Sequence, residues 1–208
     1  MIKIIIFILL NIILFVCGTT YVNFDPHPKC SQDVGVGIGY SWITNKCLNF
    51  GQDGSYLVEI DQNDQNNVNF YFFSDPKSQC NKAENNVTKQ YNINNCYQVQ
   101  WNLDGAFYDV TNYAKMSIVE DPGYIQPEGY RYTLYQTQDT QCQADYLYYQ
   151  YYTNGIKFHN TMQTFLYECV DDVPFEVLCT QDLPCINSTI EFRCVTSESG
   201  PYLHSITC

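Results

Sequence analysis

Apolar and polar residues alternate with a period of two through much of this chain, and turn-forming residues break the alternation at short, nearly regular intervals. Tyr56-Leu57-Val58-Glu59-Ile60 and Val68-Asn69-Phe70-Tyr71-Phe72-Phe73 are rich in aromatic and β-branched residues. The polar segment 61–67 between them predicts a hairpin. Tyr97-Gln98-Val99-Gln100-Trp101 and Tyr130-Arg131-Tyr132-Thr133-Leu134-Tyr135 alternate in the same way. Asn154-Gly155 has the residues of a type I′ turn, which needs positive φ at both central positions. It predicts a hairpin joining residues 146–152 to 156–159. On that reading Gly155→Val should cost more stability than Gly54→Val, where no tight turn is demanded. Further strands are expected at 164–170, 175–179, 190–195 and 202–208. No window of a dozen residues carries a 3.6-residue apolar period. The pattern therefore predicts an all-β fold, an antiparallel β-sandwich or barrel-like domain.

The first 18 residues obey a different rule. Lys3 is followed by an apolar run over 4–16 and then by small residues, the organisation of a secretory signal peptide. The run covers about 13 residues, whereas a bilayer-spanning helix needs about 20. Residues 1–18 are therefore expected to be removed, leaving 19–208 as a single disulfide-rich β-domain with no stable membrane anchor. Phe70 to Cys80 and Thr133 to Cys142 each run from an aromatic strand through an Asp-containing turn into Gln-Cys. Duplication into two units divided near 121–129 is the alternative organisation.

Secretion changes the meaning of the cysteines. Eleven are present, and Cys17 leaves with the signal. The rest, Cys30, Cys47, Cys80, Cys96, Cys142, Cys169, Cys179, Cys185, Cys194 and Cys208, form an even set in an oxidising compartment. They are expected to form five disulfides rather than nucleophiles or metal ligands, with pairing local to each half of the chain. The formal net charge of −12, with no Lys/Arg cluster, argues against nucleic acid and anionic membrane as partners.

Motifs for catalysis and cofactors are weak. There is no G-x-S-x-G elbow. Of three histidines, His27 lies beside prolines, His204 near the C-terminus, and His159 alternates with Lys157 as on a solvated strand. Gly35-Val36-Gly37-Ile38-Gly39 lacks the strand–helix setting that phosphate binding requires and reads as a flexible or edge strand. The loop from Asp61 spaces its oxygens like a calcium site but has Asn66 and Phe72 where Gly and Glu belong. No cofactor and no metal is implied. A carboxylate pair for hydrolysis cannot be singled out among 22 acidic residues.

What stands out is tyrosine, at 19 residues. Strict alternation puts Tyr146, Tyr148 and Tyr152 on one face and Leu147, Tyr149 and Tyr151 on the other. An exposed face of this kind would bind glycans or extracellular proteins. In a central strand both faces would instead be covered. Asn86-Val87-Thr88 and Asn187-Ser188-Thr189 are N-glycosylation acceptor motifs at Asn86 and Asn187.

In its signal, length, cysteine count and Asn-, Gln- and Tyr-rich composition, the chain resembles small cysteine-rich secreted proteins of social amoebae. That resemblance implies an extracellular or endocytic-lumen location and no particular reaction. The expectation is a secreted, non-enzymatic recognition or structural protein. A carbohydrate-binding module using the tyrosines and a secreted hydrolase with an unidentified carboxylate pair are the competing readings.

Overall fold

Aromatic and β-branched residues fit a pleated surface covered on at least one side, and strands are the dominant regular structure of the described residues in the computed structural model. It describes residues 19–31, 35–51, 54–75, 79–82, 89–93, 95–99, 112–120, 129–159, 163–180, 183–197 and 200–208. The signal segment, Asn86, Trp101 and the proposed boundary at 121–128 lie outside these residues. In chain order the strands are β1 (Tyr21–Pro26), β2 (Ile38–Ile43), β3 (Cys47–Asn49), β4 (Ser55–Ile60), β5 (Asn67–Phe73) and β6 (Lys89–Asn92). There follow β7 (Cys96–Val99), β8 (Asn112–Val119), β9 (Gly129–Tyr135), β10 (Tyr148–Thr153) and β11 (Lys157–His159). The last are β12 (Gln163–Val170), β13 (Val173–Thr180), β14 (Ile186–Thr189), β15 (Val195–Thr196) and β16 (Leu203–Thr207).

They form three antiparallel sheets. The main sheet runs β15-β16-β9-β10-β2-β1-β8-β7, the second β3-β4-β5-β6 and the third β11-β12-β13-β14. The expected hairpin is β4–β5, in register from Ser55 opposite Phe73 to Ile60 opposite Val68. Its sheet packs on the main one through rings. Trp42 lies 5.4 Å from Tyr56 and 5.9 Å from Phe70 between centroids, and Phe24 meets Phe70 at 5.6 Å. Such edge-to-face and tilted pairs contribute about 0.5–1.5 kcal/mol each beyond the area they bury. The third sheet reaches this core through Phe165, Tyr167 and Cys169 of β12.

All ten cysteines among the described residues are paired, each within its own half of the chain: Cys30–Cys96, Cys47–Cys80, Cys142–Cys194, Cys169–Cys208 and Cys179–Cys185.

Four sequence expectations are corrected. Asn154-Gly155 joins no hairpin, because β10 belongs to the main sheet and β11 to the third. It is a corner where the chain changes sheets. Asn154 fixes that corner by acting as a surrogate strand: its Nδ2 donates to Cys169 O (3.0 Å) and its Oδ1 accepts from Cys169 N (2.7 Å). A two-residue hairpin turn with both φ positive is instead Asp171-Asp172 (φ 52° and 61°), between the paired Val170 and Val173. The glycine comparison also inverts. A Cβ on Gly54 (φ 90°) would sit 2.4 Å from the carbonyl oxygen of Phe73, whereas one on Gly155 (φ 85°) meets nothing within 4 Å. Finally, the strand expected at 190–195 lies earlier, as β14, and the glycine run leads into β2, a central strand rather than an edge.

Candidate interaction surface

The tyrosine strand is interior. In β10 every residue from Tyr148 to Thr153 is buried, because β9 and β2 flank it and both faces are covered. Tyr146, Tyr148 and Tyr152 are 6%, 0% and 6% exposed, which corrects the expectation of an exposed binding face. Nor do the three share a face. Leu147 N donates to Leu134 O while Tyr148 pairs with the same Leu134, so two residues stand opposite one. That bulge inverts the alternation. Tyr148 and Tyr152 join the main core, and Tyr146 joins Tyr21, Tyr149 and Tyr151 on the other side. The hydroxyls of Tyr148 and Tyr152 are satisfied inside the protein. Tyr148 Oη donates to Gln150 Oε1 (2.9 Å), and Gln150 Nε2 donates to the Tyr152 oxygen.

The opposite face is buried too, but polar. Ser41 Oγ donates to Asn23 Oδ1 (2.6 Å) and meets Tyr146 Oη at 2.9 Å, while Tyr151 Oη donates to Asp25 Oδ1 (3.1 Å). Burial raises the Asp25 carboxyl, against the lowering effect of that hydrogen bond. Burial first, then the neighbouring Asp25 charge, pushes Tyr149 up to about 12. These phenols therefore stay neutral near pH 7 and act as hydrogen-bonding structural groups.

The remaining chemical candidates are also structural. In the 61–67 loop, Asp61 accepts from Asn63 N (2.8 Å) and Asp64 from Asn66 N (3.0 Å), so the carboxylates cap their own turns. The Asn63 amide is the chief cause of Asp61's lowered pKa. His27 Nδ1 donates to Ser31 O (3.1 Å), and His204 stacks on Tyr132 with centroids 4.9 Å apart. The His159 side chain lies outside the described residues; its backbone pairs opposite Thr164. Among the described residues no three His, Cys, Asp or Glu side chains converge into a metal site, and no helix is long and apolar enough to cross a membrane.

Apolar surface reaches solvent instead around the third sheet. Leu183, Ile186 and Phe192 are 64%, 62% and 58% exposed, and Val170, Val173 and Val195 are exposed as well. An open groove of about 670 Å³ runs along the seam between the β13–β14 end of this sheet and β16 of the main sheet. Val173, Ile190, Phe192 and Ile206 supply its apolar wall, and Asp172 and Glu191 its charge. Ile190 is anchored by its backbone N–H, which donates to Pro174 O (2.9 Å). The sequence reading missed this site because it took 190–195 for a strand. The available signal was a lone Phe192 between Glu191 and Arg193, too polar a context for a strand with a covered face.

Fold and surface together define an antiparallel β-protein held by five disulfides, with a solvent-facing apolar seam near its C-terminal sheet. The Counting factor-associated protein A/B/C family model matches residues 1–208, and the chain belongs to that family. Membership fits a secreted, non-enzymatic extracellular protein and is consistent with the resemblance to social-amoeba proteins. No curated protein and no solved structure matches the chain.

Proposed function

We propose that this protein, secreted as a single β-domain beginning near residue 19, works by associating with an extracellular protein partner along the seam groove. The observation that carries this reading is the exposed Phe192 on a groove whose apolar wall is rimmed by Asp172 and Glu191. Soluble proteins rarely leave contiguous apolar surface uncovered without a use for it. With a chain charge of −12, the complementary partner presents an apolar strip flanked by basic residues. The family's name describes association with counting factor, and that assembly is the partner to test. Sugar binding through the tyrosine row receives no support from rings that are buried in the sheet.

The test is co-purification of counting factor with the secreted chain carrying Phe192→Asp and Val173→Asp. Retention should fall at least about tenfold, equivalent to roughly 1.4 kcal/mol, while secretion and far-UV circular dichroism are unchanged. Undiminished association by the folded double variant would remove the groove from the proposal.

A further inference from the structure

In β12 and β13 the two faces of the third sheet part company. Phe165 and Tyr167 of β12 pack into the main core. By alternation, Leu166 then faces away, with its partner Val177 and, two residues along β13, Phe175. These three are half-buried and contribute to none of the buried clusters. The outer face therefore carries an apolar stripe. Register extends that face onto β14, where Asn187 stands opposite Val177 and Thr189 opposite Phe175. Both β14 residues are exposed, and β14 is the outer strand of its sheet. Asn187-Ser188-Thr189 is an acceptor motif, so the motif's asparagine lies beside the stripe and on the same face.

We propose that Asn187 carries an N-linked glycan whose first sugars lie across Val177 and Phe175, covering the outer face and the free edge of β14. The modification forms a bond between Asn187 Nδ2 and the anomeric carbon of the first sugar of a polyprenyl-diphosphate-linked oligosaccharide. The sugar–phosphate C–O bond breaks, the diphosphate leaves with the bonding electron pair, and the amide nitrogen loses one proton. The transfer takes place in the secretory lumen, so it rests on the secreted reading but not on the groove. Two physical needs meet in this one group. An exposed edge strand is a template for pairing with another chain, and a sugar's C–H face packs against aromatic or aliphatic side chains while its hydroxyls stay in water. The sheet has no basic residue on β14 to blunt the edge in another way.

The experiment uses the full chain secreted by eukaryotic cells in an Asn86→Gln background, so that only Asn187 can contribute. Peptide mapping after amidase release in heavy-oxygen water should recover residue 187 as labelled aspartate. Recovery of unmodified Asn187 would overturn the proposal. Removal of the glycan from the folded protein should raise apolar-dye binding about threefold and produce dimers in sedimentation, as expected for a newly exposed patch. Asn187→Gln, which never acquires the sugar, should match the enzymatic product, and adding Val177→Ser with Phe175→Ser should abolish the gain in dye binding. Unchanged dye binding and sedimentation after removal would show a glycan that covers nothing and would equally overturn the proposal. Undiminished counting-factor association by the Phe192→Asp, Val173→Asp variant, with intact glycan shielding, would count against the groove alone.

Discussion

β10 buries all six of its residues, whereas β14 buries none of its four. Between these extremes lie two ways of holding a sheet together. The main sheet and the β3–β6 sheet share a continuous core containing Phe24, Trp42, Phe50, Phe70, Tyr91 and Tyr148. In the third sheet most β12 and β13 residues are only half covered. There Cys169–Cys208 ties β12 to the chain beyond β16, and Cys179–Cys185 closes the loop between β13 and β14. Where apolar burial thins, covalent links restrict the unfolded chain instead.

The comparison breaks most visibly at Trp42. Trp42→Ala removes the ring shared by both sheets of the aromatic core and should cost about 3–5 kcal/mol. Phe175→Ala, on the outer face of the third sheet, should cost about 1–2 kcal/mol, because its partly buried ring belongs to none of the buried clusters. Chemical denaturation of the two variants measures the contrast, and equal losses would mean the third sheet has a core of its own.

The disulfides should show the reverse dependence. Replacing Cys169 and Cys208 together by Ala should cost about 2–4 kcal/mol and admit proteases first between residues 157 and 197. First cuts within 38–73 instead would place the weak point in the aromatic core.

Backbone strain sharpens the contrast at a smaller scale. Gly54→Val combines left-handed strain with a collision against Phe73 O and should cost about 2–4 kcal/mol. Gly155→Val meets strain in open space and should cost about 1–2 kcal/mol. Melting temperatures of the two variants give the order directly.

The smallest expected effect is in pH. Asp61's lowered pKa means its turn contributes fully above the ordinary carboxylate range and loses that contribution as pH falls below it. Glu176 behaves oppositely: burial raises its carboxyl, so its ionised form costs stability, and that cost is relieved as pH falls through the raised value. Hydrogen exchange on acidification should thus quicken in the 61–67 loop while slowing in β13. Asp61→Asn should flatten the first response and Glu176→Gln the second.

These features differ in how far the sequence announces them. β4 and β5 were legible because a local polar turn joins two aromatic and β-branched runs. The ten-cysteine framework was legible from its even count and its clustering. β1 was missed although Tyr21-Val22-Asn23-Phe24 alternates, since Asn23 reads as a solvent position until Ser41 opposite supplies its hydrogen bond. The tyrosine faces failed because a bulge at Leu147 is set by pairing with Leu134, a contact that local alternation cannot register. The corner at Asn154-Gly155 failed for a related reason. The dipeptide specifies positive φ, but its destination depends on Cys169, 15 residues later. The groove depends on two sheets meeting, and neither sheet's own pattern encodes the meeting.

Gly39 sits opposite Tyr151 in the main sheet, and a Cβ there would lie 1.9 Å from an atom of the Tyr151 ring. The ring fills the place a side chain would take, so one residue supplies the bulk for two positions. In terms of volume the pair is a single unit. A side chain gained at 39 therefore requires the Tyr151 ring to move or to shrink. The link also extends to Asp25, whose hydrogen bond from Tyr151 is lost with the ring. Positions 25, 39 and 151 are thereby linked, one pair by a hydrogen bond and the other by shared volume.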